Sequence, residues 1–199
     1  MSAMKEIIIA SGNVGKLREI EAILAPLGFT GVPQSVYNVP EAPEPHPTFV
    51  ENALAKARNA ALHSGLPALA DDSGICVTAL GGAPGVHSAR YAGLPKSDHR
   101  NNAKLVAALA AETDHTAYYY AALVLVRHAH DPHPLIAEGR WAGQVIATPR
   151  GANGFGYDPY FYLPELDKTA AELDPHQKNL VSHRGKALRQ LATLIKDQW

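Results

Sequence analysis

The sequence predicts an α/β fold, a mixed β-sheet flanked by helices, and three observations carry that prediction. Short apolar runs alternate with amphipathic helical segments early in the chain, which favours parallel pairing. Two longer strand-like segments follow, joined by a polar loop, and these read as an antiparallel hairpin. Helical spacing then returns at the end of the chain.

Taken in order, Lys5–Ala10 reads as a buried strand because of its run of β-branched Ile7, Ile8 and Ile9. Leu17, Ile20, Leu24 and Leu27 recur at helical spacing, with Pro26 and Gly28 as stop signals. A short strand around Val32 precedes the proline-rich segment Tyr37–Pro47, which reads as an extended loop. Thr48 and Glu51 have the spacing of a capping box and open a helix that reaches about His63. Pro67–Ala70 reads as a brief strand feeding an acidic turn at Asp71-Asp72-Ser73-Gly74. Leu80–Gly93 is glycine-rich and irregular, and Ser97 caps a helix running through about Ala108. Tyr118–Arg127 and Leu135–Ile146 form the hairpin around the loop His128–Pro134. After the loop Thr148–Pro159 come a short strand at Tyr160–Leu163, a helical turn from Thr169, and one final helix from about Gln177 to Ile195.

Composition bounds the function. A chain of 199 residues is expected to form a single domain over residues 1–199 with a sizeable core. Its 18 basic and 19 acidic residues give a net charge of −1 without a basic block, which argues against nonspecific nucleic-acid binding. Cys76 is the single cysteine, so no internal disulfide forms, in keeping with a reducing compartment. No stretch resembles a membrane span or a secretory signal, and a cytoplasmic location is the expectation.

Several segments have the residue types that nucleotide chemistry needs. Ser11, Gly12, Asn13, Val14, Gly15 and Lys16 follow a strand and open a helix, which gathers free N–H groups, a helix dipole and one ammonium into an anion site. This is no Walker A loop, because Ala10 and Leu17 stand where that motif needs Gly and Ser or Thr. Asp71 and Asp72 suit Mg²⁺, a hard cation that takes one or two carboxylates plus phosphate oxygens and water; a solvated turn is the competing reading. Asn52 and Lys56 share one side of a helix with Asn59 and can reach one ligand, or simply face water. Phe155 between Gly154 and Gly156 leaves room for a flat partner on its ring, while a turn that happens to hold aromatics fits equally well. Ser182, His183 and Arg184, with Lys178 nearby, offer donors for a phosphate or a base carbonyl, or form a basic helix surface. His128, His130, Asp131 and His133 mimic a metal cluster, but Pro132 and Pro134 among them mark a hairpin tip.

In order, SGNVGK, TFVENALAKA, ADDSG, GGAPGVHSARYAG, GFGYDP and SHRGKAL resemble the inosine triphosphate pyrophosphatase family, the non-standard purine nucleoside triphosphate (XTP/dITP) diphosphatases. The resemblance runs from Ile7 to about Leu191. It implies Mg²⁺-dependent hydrolysis of ITP, dITP and XTP to the monophosphate and pyrophosphate. It also implies an elongated mixed sheet in two lobes with the active cleft between them, and a homodimer. The purine nucleoside triphosphate is then the partner expected, with neither nucleic acid nor membrane. By the same resemblance Ser11 through Lys16 and Lys56 hold phosphate, and Glu44 and Asp72 hold Mg²⁺. Asp72 is the proton acceptor, although a role as metal ligand alone is equally compatible with its chemistry. Asn52, Ser73 and Arg90 are expected beside the substrate. Phe155 stacks on the base, Gly156, Tyr157 and Asp158 complete the pocket wall, and Lys178, His183 and Arg184 address the base. Donors facing a 6-oxo group would clash with the amino group of adenine; rejection of GTP has no residue assigned to it. Two alternatives remain: a Maf-type pyrophosphatase of the same fold family acting on pyrimidine or modified nucleotides, and a nucleotide-binding regulatory module without catalysis.

Overall fold

Three consecutive isoleucines set the centre of the sheet. Ile7, Ile8 and Ile9 are all essentially inaccessible to solvent, as expected of a strand covered on both faces. They lie in β1 (Lys5–Ile9), which pairs in parallel with β2 (Phe29–Pro33) on one side and β3 (Ala68–Val77) on the other. The computed structural model describes residues 5–199. Its seven-stranded sheet runs β2-β1-β3-β4-β5-β6-β7, adding β4 (Thr116–Val126), β5 (Leu135–Val145), β6 (Phe161–Leu163) and β7 (Lys168–Thr169). Antiparallel pairing of β6 with β5 and β7 makes the sheet mixed, as expected. Along β5 buried and exposed residues alternate strictly, the pattern of a strand with one wetted face.

The helices are α1 (Val14–Leu24), α2 (Phe49–Ser64), α3 (Asp98–Leu109), α4 (Pro175–Val181) and α5 (His183–Gln198). Side-chain caps fix most starts: Asn13, Thr48, Ser97 and Asp174 each accept a first-turn N–H. Thr48 departs from the expected box in one detail, since its hydroxyl donates to the Glu51 carboxylate at 2.6 Å while accepting the Glu51 N–H. The helical turn expected from Thr169 is there, closed by a reciprocal box with Glu172.

Two sequence expectations are corrected. Asp71-Asp72-Ser73-Gly74 form no turn: β3 runs through them to Val77. Apolar residues on both sides, Ala68 to Ala70 and Ile75 to Val77, keep the segment in the sheet against the turn preference of Asp, Ser and Gly. The final helix is broken. Ser182 adopts an extended conformation, so α4 ends there and α5 begins afresh at His183.

The chain divides into two compact units, each assembled from separate segments. The first comprises residues 1–72, 121–138 and 184–199, of which 5 onward are described here, and packs Ile7, Ile9, Leu24, Leu123, Leu125 and Leu191 into one core. The second comprises 73–120 and 139–183, with a core that includes Ile75, Leu105, Tyr119, Trp141 and Phe161.

Candidate active site

In the first unit, the end of β1 and the start of α1 make the predicted bend. Ser11 Oγ accepts the Asn13 N–H at 3.2 Å and Asn13 Oδ1 accepts the Lys16 N–H at 3.1 Å, so the chain turns into the helix with its cap in place. Val14 and Gly12 face solvent. The Lys16 ammonium forms an ion pair with Asp71 of β3. The glycine bend and the acidic segment therefore meet through a direct side-chain contact.

Strand geometry resolves how two adjacent carboxylates coexist. Successive residues of a strand point to opposite faces, so Asp71 and Asp72 diverge and each takes its own cations. Asp71 pairs with Lys16 and, at 3.0 Å, with Arg184 Nε. Arg184 in turn binds Glu19 of α1 at 2.7 Å. Burial pushes the Asp71 carboxyl up, but Arg184 and Lys16 outweigh it and hold it well below the usual carboxylate range. Asp72 pairs with Lys56 Nζ at 3.0 Å, and here burial prevails over Lys56, leaving the carboxyl above its ordinary value.

Lys56 is the organising cation on that side. Its ammonium donates to Asp72 Oδ1, to the Asp71 carbonyl at 2.8 Å and to Glu44 Oε1 at 2.8 Å. Burial alone would lower its pKa; Asp72 and Glu44 reverse that and keep it charged. Glu44 is placed by its neighbours. Asn59 donates to the Pro40 carbonyl at 2.8 Å, and Asn52 both accepts from the His46 N–H and donates to the His46 carbonyl. Two asparagines on one helix face thus pin the proline-rich segment on either side of Glu44. Asn52 is fully buried in this role, so the expectation of direct substrate contact gives way to positioning.

The donor set fits a hard divalent cation. Asp72 Oδ2 is buried and has no hydrogen-bond partner among the described residues. An ionised oxygen left in that condition is costly unless something is meant to bind it. Among the described residues no cluster of three His, Cys, Asp or Glu forms a ready-made cage. Two carboxylates suit Mg²⁺, which keeps several waters and shares phosphate oxygens.

The second unit presents rings and a buried pair. Gly154 and Gly156 both have positive φ, 78° and 63°, and a side chain at Gly154 would collide with the Asp158 carboxylate. Asp158 Oδ2 accepts the Phe155 N–H at 2.8 Å and the Lys178 ammonium at 2.5 Å. Lys178 also lies 5.0 Å from the Phe155 ring centroid, a cation–π distance, while the Phe155 side chain stays 40% exposed. Tyr157 is buried and donates its hydroxyl to the Ser88 carbonyl at 2.7 Å, so it supports the loop from beneath. The His183 imidazole stacks on Tyr119 at 4.7 Å with rings 7° from parallel, and Trp141 lies beyond at 6.3 Å.

The expected residues therefore fall into two groups. Ser11 to Lys16, Glu44, Asn52, Lys56, Asp72 and Arg184 belong to the first unit; Ser73, Arg90, Phe155 to Asp158, Lys178 and His183 belong to the second. Ser73 is half-buried in β3 and Arg90 half-buried at the end of a 3₁₀ turn, Gly85–Arg90. Arg184 carries a correction: its guanidinium is buried between Asp71 and Glu19 and belongs with the anionic cluster rather than with the aromatic group. Sequence reasoning missed Glu19, Tyr119, Trp141 and Asn102. Glu19 had a signal, since it lies one helical turn after Lys16 on α1. Asn101-Asn102 inside a helix had another, because asparagine disfavours helix interiors and is kept there for its hydrogen bonds.

Comparison with known proteins gives the chain's family. The Ham1 family profile matches residues 7–194. A dITP/XTP pyrophosphatase of Aromatoleum aromaticum is 64% identical over 185 residues, 93% of each chain. One of Nitrosomonas europaea is 62% identical over 194 residues, 98% of this chain and 96% of the relative. Among solved structures, a HAM1 protein of Coxiella burnetii superposes with a TM-score of 0.93 at 48% identity, covering 98% of this chain and all of that one. A nucleoside-triphosphatase (dITP/XTP pyrophosphatase) of Mycobacterium abscessus gives 0.76 at 42% identity, covering 94% and 98%.

Proposed function

Because the chain belongs to the Ham1 family, we propose that it hydrolyses non-standard purine nucleoside triphosphates, dITP, XTP and ITP, to the monophosphate and pyrophosphate. The observation that carries the reading is the convergence of Lys16, Lys56, Asp71 and Asp72 on one strand segment, two ammonium groups set among carboxylates. A triphosphate is a dense polyanion, and a nearly neutral chain binds it through such a local concentration of cations. Ser11 to Lys16 and Lys56 would take the phosphates. Glu44 and Asp72 would hold Mg²⁺, which supplies charge to offset that developing on the phosphoryl oxygens.

Asp72 is the group placed to accept a proton from the attacking water. Among the described residues its Oδ2 has no hydrogen-bond partner, and burial makes the carboxylate more basic than a solvated one. Lys56 holds the opposite oxygen and so fixes the carboxylate plane. Asp71 plays a different part. Tied to Lys16 and Arg184, it stays ionised and orients the phosphate-binding ammonium. Arg184 acts on Asp71, so reading of the 6-oxo group is assigned to Lys178 and His183. Phe155 offers its exposed ring for stacking.

The family resemblance also supports a homodimer acting in the cytoplasm, and the buried thiol of Cys76 is in keeping with a reducing compartment. No described helix is long and apolar enough to cross a membrane. A Mg²⁺-dependent substrate panel tests the assignment. Values of kcat/KM for dITP and XTP should exceed that for dATP by about 10⁴-fold, the discrimination expected of a site built around specific hydrogen bonds. A flat profile, a preference for modified pyrimidine nucleotides, or binding without turnover would contradict it.

A further inference from the structure

The loop that carries Phe155 is gripped from outside by α3. Asp98 Oδ2 accepts the Gly156 N–H at 2.9 Å, and Asn102 Nδ2 donates to the Gly156 carbonyl at 2.9 Å. Asp98 and Asn102 are four residues apart on one helix, so they share a face and reach the same residue. A third bond comes from within the loop, the Phe155 N–H to Asp158 Oδ2 at 2.8 Å.

Together these bonds hold three successive peptide planes: Gly154–Phe155, Phe155–Gly156 and Gly156–Tyr157. The dihedrals between those planes are the φ and ψ of Phe155 and Gly156. With the planes held, all four are fixed, and the Phe155 ring keeps only its side-chain torsions. This matters because glycines at positive φ on both sides of Phe155 leave an ungripped loop many alternatives. Asn102 is 6% exposed, and its Oδ1 has no hydrogen-bond partner among the described residues, so the bond to Gly156 is what orients its amide. Asp98 is exposed and sits in the first turn of α3, where the helix dipole favours a carboxylate.

We propose that Asp98 and Asn102 are positioning residues that preorganise the Phe155 ring for a planar base by clamping the Gly156 peptide. The proposal rests on the reading of Phe155 as the stacking residue. A ring already held in place saves the ordering cost of a loose loop on binding. Stacking tolerates any base, so loss of the clamp weakens dITP and dATP alike and leaves the preference between them unchanged.

The test is a double-mutant cycle on KM for dITP. Asp98→Ala and Asn102→Ala should each raise KM by about three- to tenfold, with kcat within about twofold. Asp98→Asn, whose amide oxygen still accepts the Gly156 N–H, should restore most of the loss. In a Phe155→Ala background the same substitutions should have no further effect on KM. Asp98 is exposed, so its variants report on the clamp even if Asn102→Ala misfolds. If Phe155→Ala raises KM while the Asp98 variants leave it unchanged, or add to it in full, the clamp is overturned and the stacking role stands. If Phe155→Ala leaves KM unchanged, the stacking role is overturned and the clamp with it.

Discussion

The two units gather side chains of different chemistry. In the first, the charged candidates are held by opposite charges: Lys16 and Arg184 on Asp71, Lys56 on Asp72 and Glu44. In the second, rings and a backbone loop are held by stacking and hydrogen bonds beside one buried ion pair, Lys178 with Asp158: His183 lies on Tyr119, Phe155 beside Lys178, and Gly156 between Asp98 and Asn102. Charge networks stabilise developing charge and are sensitive to loss of a single member. Ring platforms add binding in increments. Substitutions in the first unit should therefore act on turnover and folding, and those in the second on KM.

The largest effect is expected at Asp72. Asp72→Asn keeps the shape of a buried side chain and removes the base, so kcat for dITP should fall by about 10³-fold with little change in melting temperature. Retention of more than a tenth of wild-type kcat would remove Asp72 from the chemistry. Next comes Asp71→Asn, which leaves Lys16 and Arg184 facing a neutral partner. Removing one member of a buried ion pair costs about 3–5 kcal/mol, so urea denaturation should show a marked loss of stability. An unchanged midpoint would mean that the network is not what holds the strand.

These two adjacent residues also show what was legible in the sequence. The ADDSG segment pointed to the chemistry, but local propensity placed it in a turn; the flanking apolar residues, which decide the matter, act through the sheet. The family resemblance assigned Arg184 to the base together with His183, yet the two belong to different units and the arginine's partners come from α1 and β3. Contacts between residues as distant in sequence as Glu19 and Arg184 leave no local periodicity to read. Element positions were more legible. The hairpin, the Ser97 cap and the helix from Thr48 follow from short-range patterning and lie within a few residues of where they were expected. The helix break at Ser182 was missed because helical spacing resumes on both sides of it.

A smaller effect is expected in the second unit. Phe155→Ala should raise KM for dITP by about tenfold, the worth of one stacked base, and leave kcat within about threefold. A drop confined to kcat would erase the contrast between the units.

The smallest effect belongs to a carboxylate outside both groups. Asp131, at the tip between β4 and β5, accepts the Arg127 and His133 N–H groups at 2.9 Å each and pairs with the Arg127 guanidinium. The turn that the sequence predicts at this histidine-rich tip is present. Burial pushes the Asp131 carboxyl up, but the Arg127 and His133 hydrogen bonds outweigh it and bring it below its ordinary value. A depressed folded-state value stabilises the protein above the unfolded value of about 3.9 and loses that contribution as the pH falls. Asp131→Asn should cost about 1–2 kcal/mol at neutral pH, and the difference from wild type should shrink as the pH falls toward 3. Hydrolysis of dITP should be unaffected.

Phosphorus NMR of the products formed from dITP and Mg²⁺ tests the central assignment most directly. The account predicts dIMP and pyrophosphate in equal amounts, with neither formed by Asp72→Asn on the same timescale. Release of orthophosphate with dIDP, or pyrophosphate formation undiminished in the variant, would contradict it.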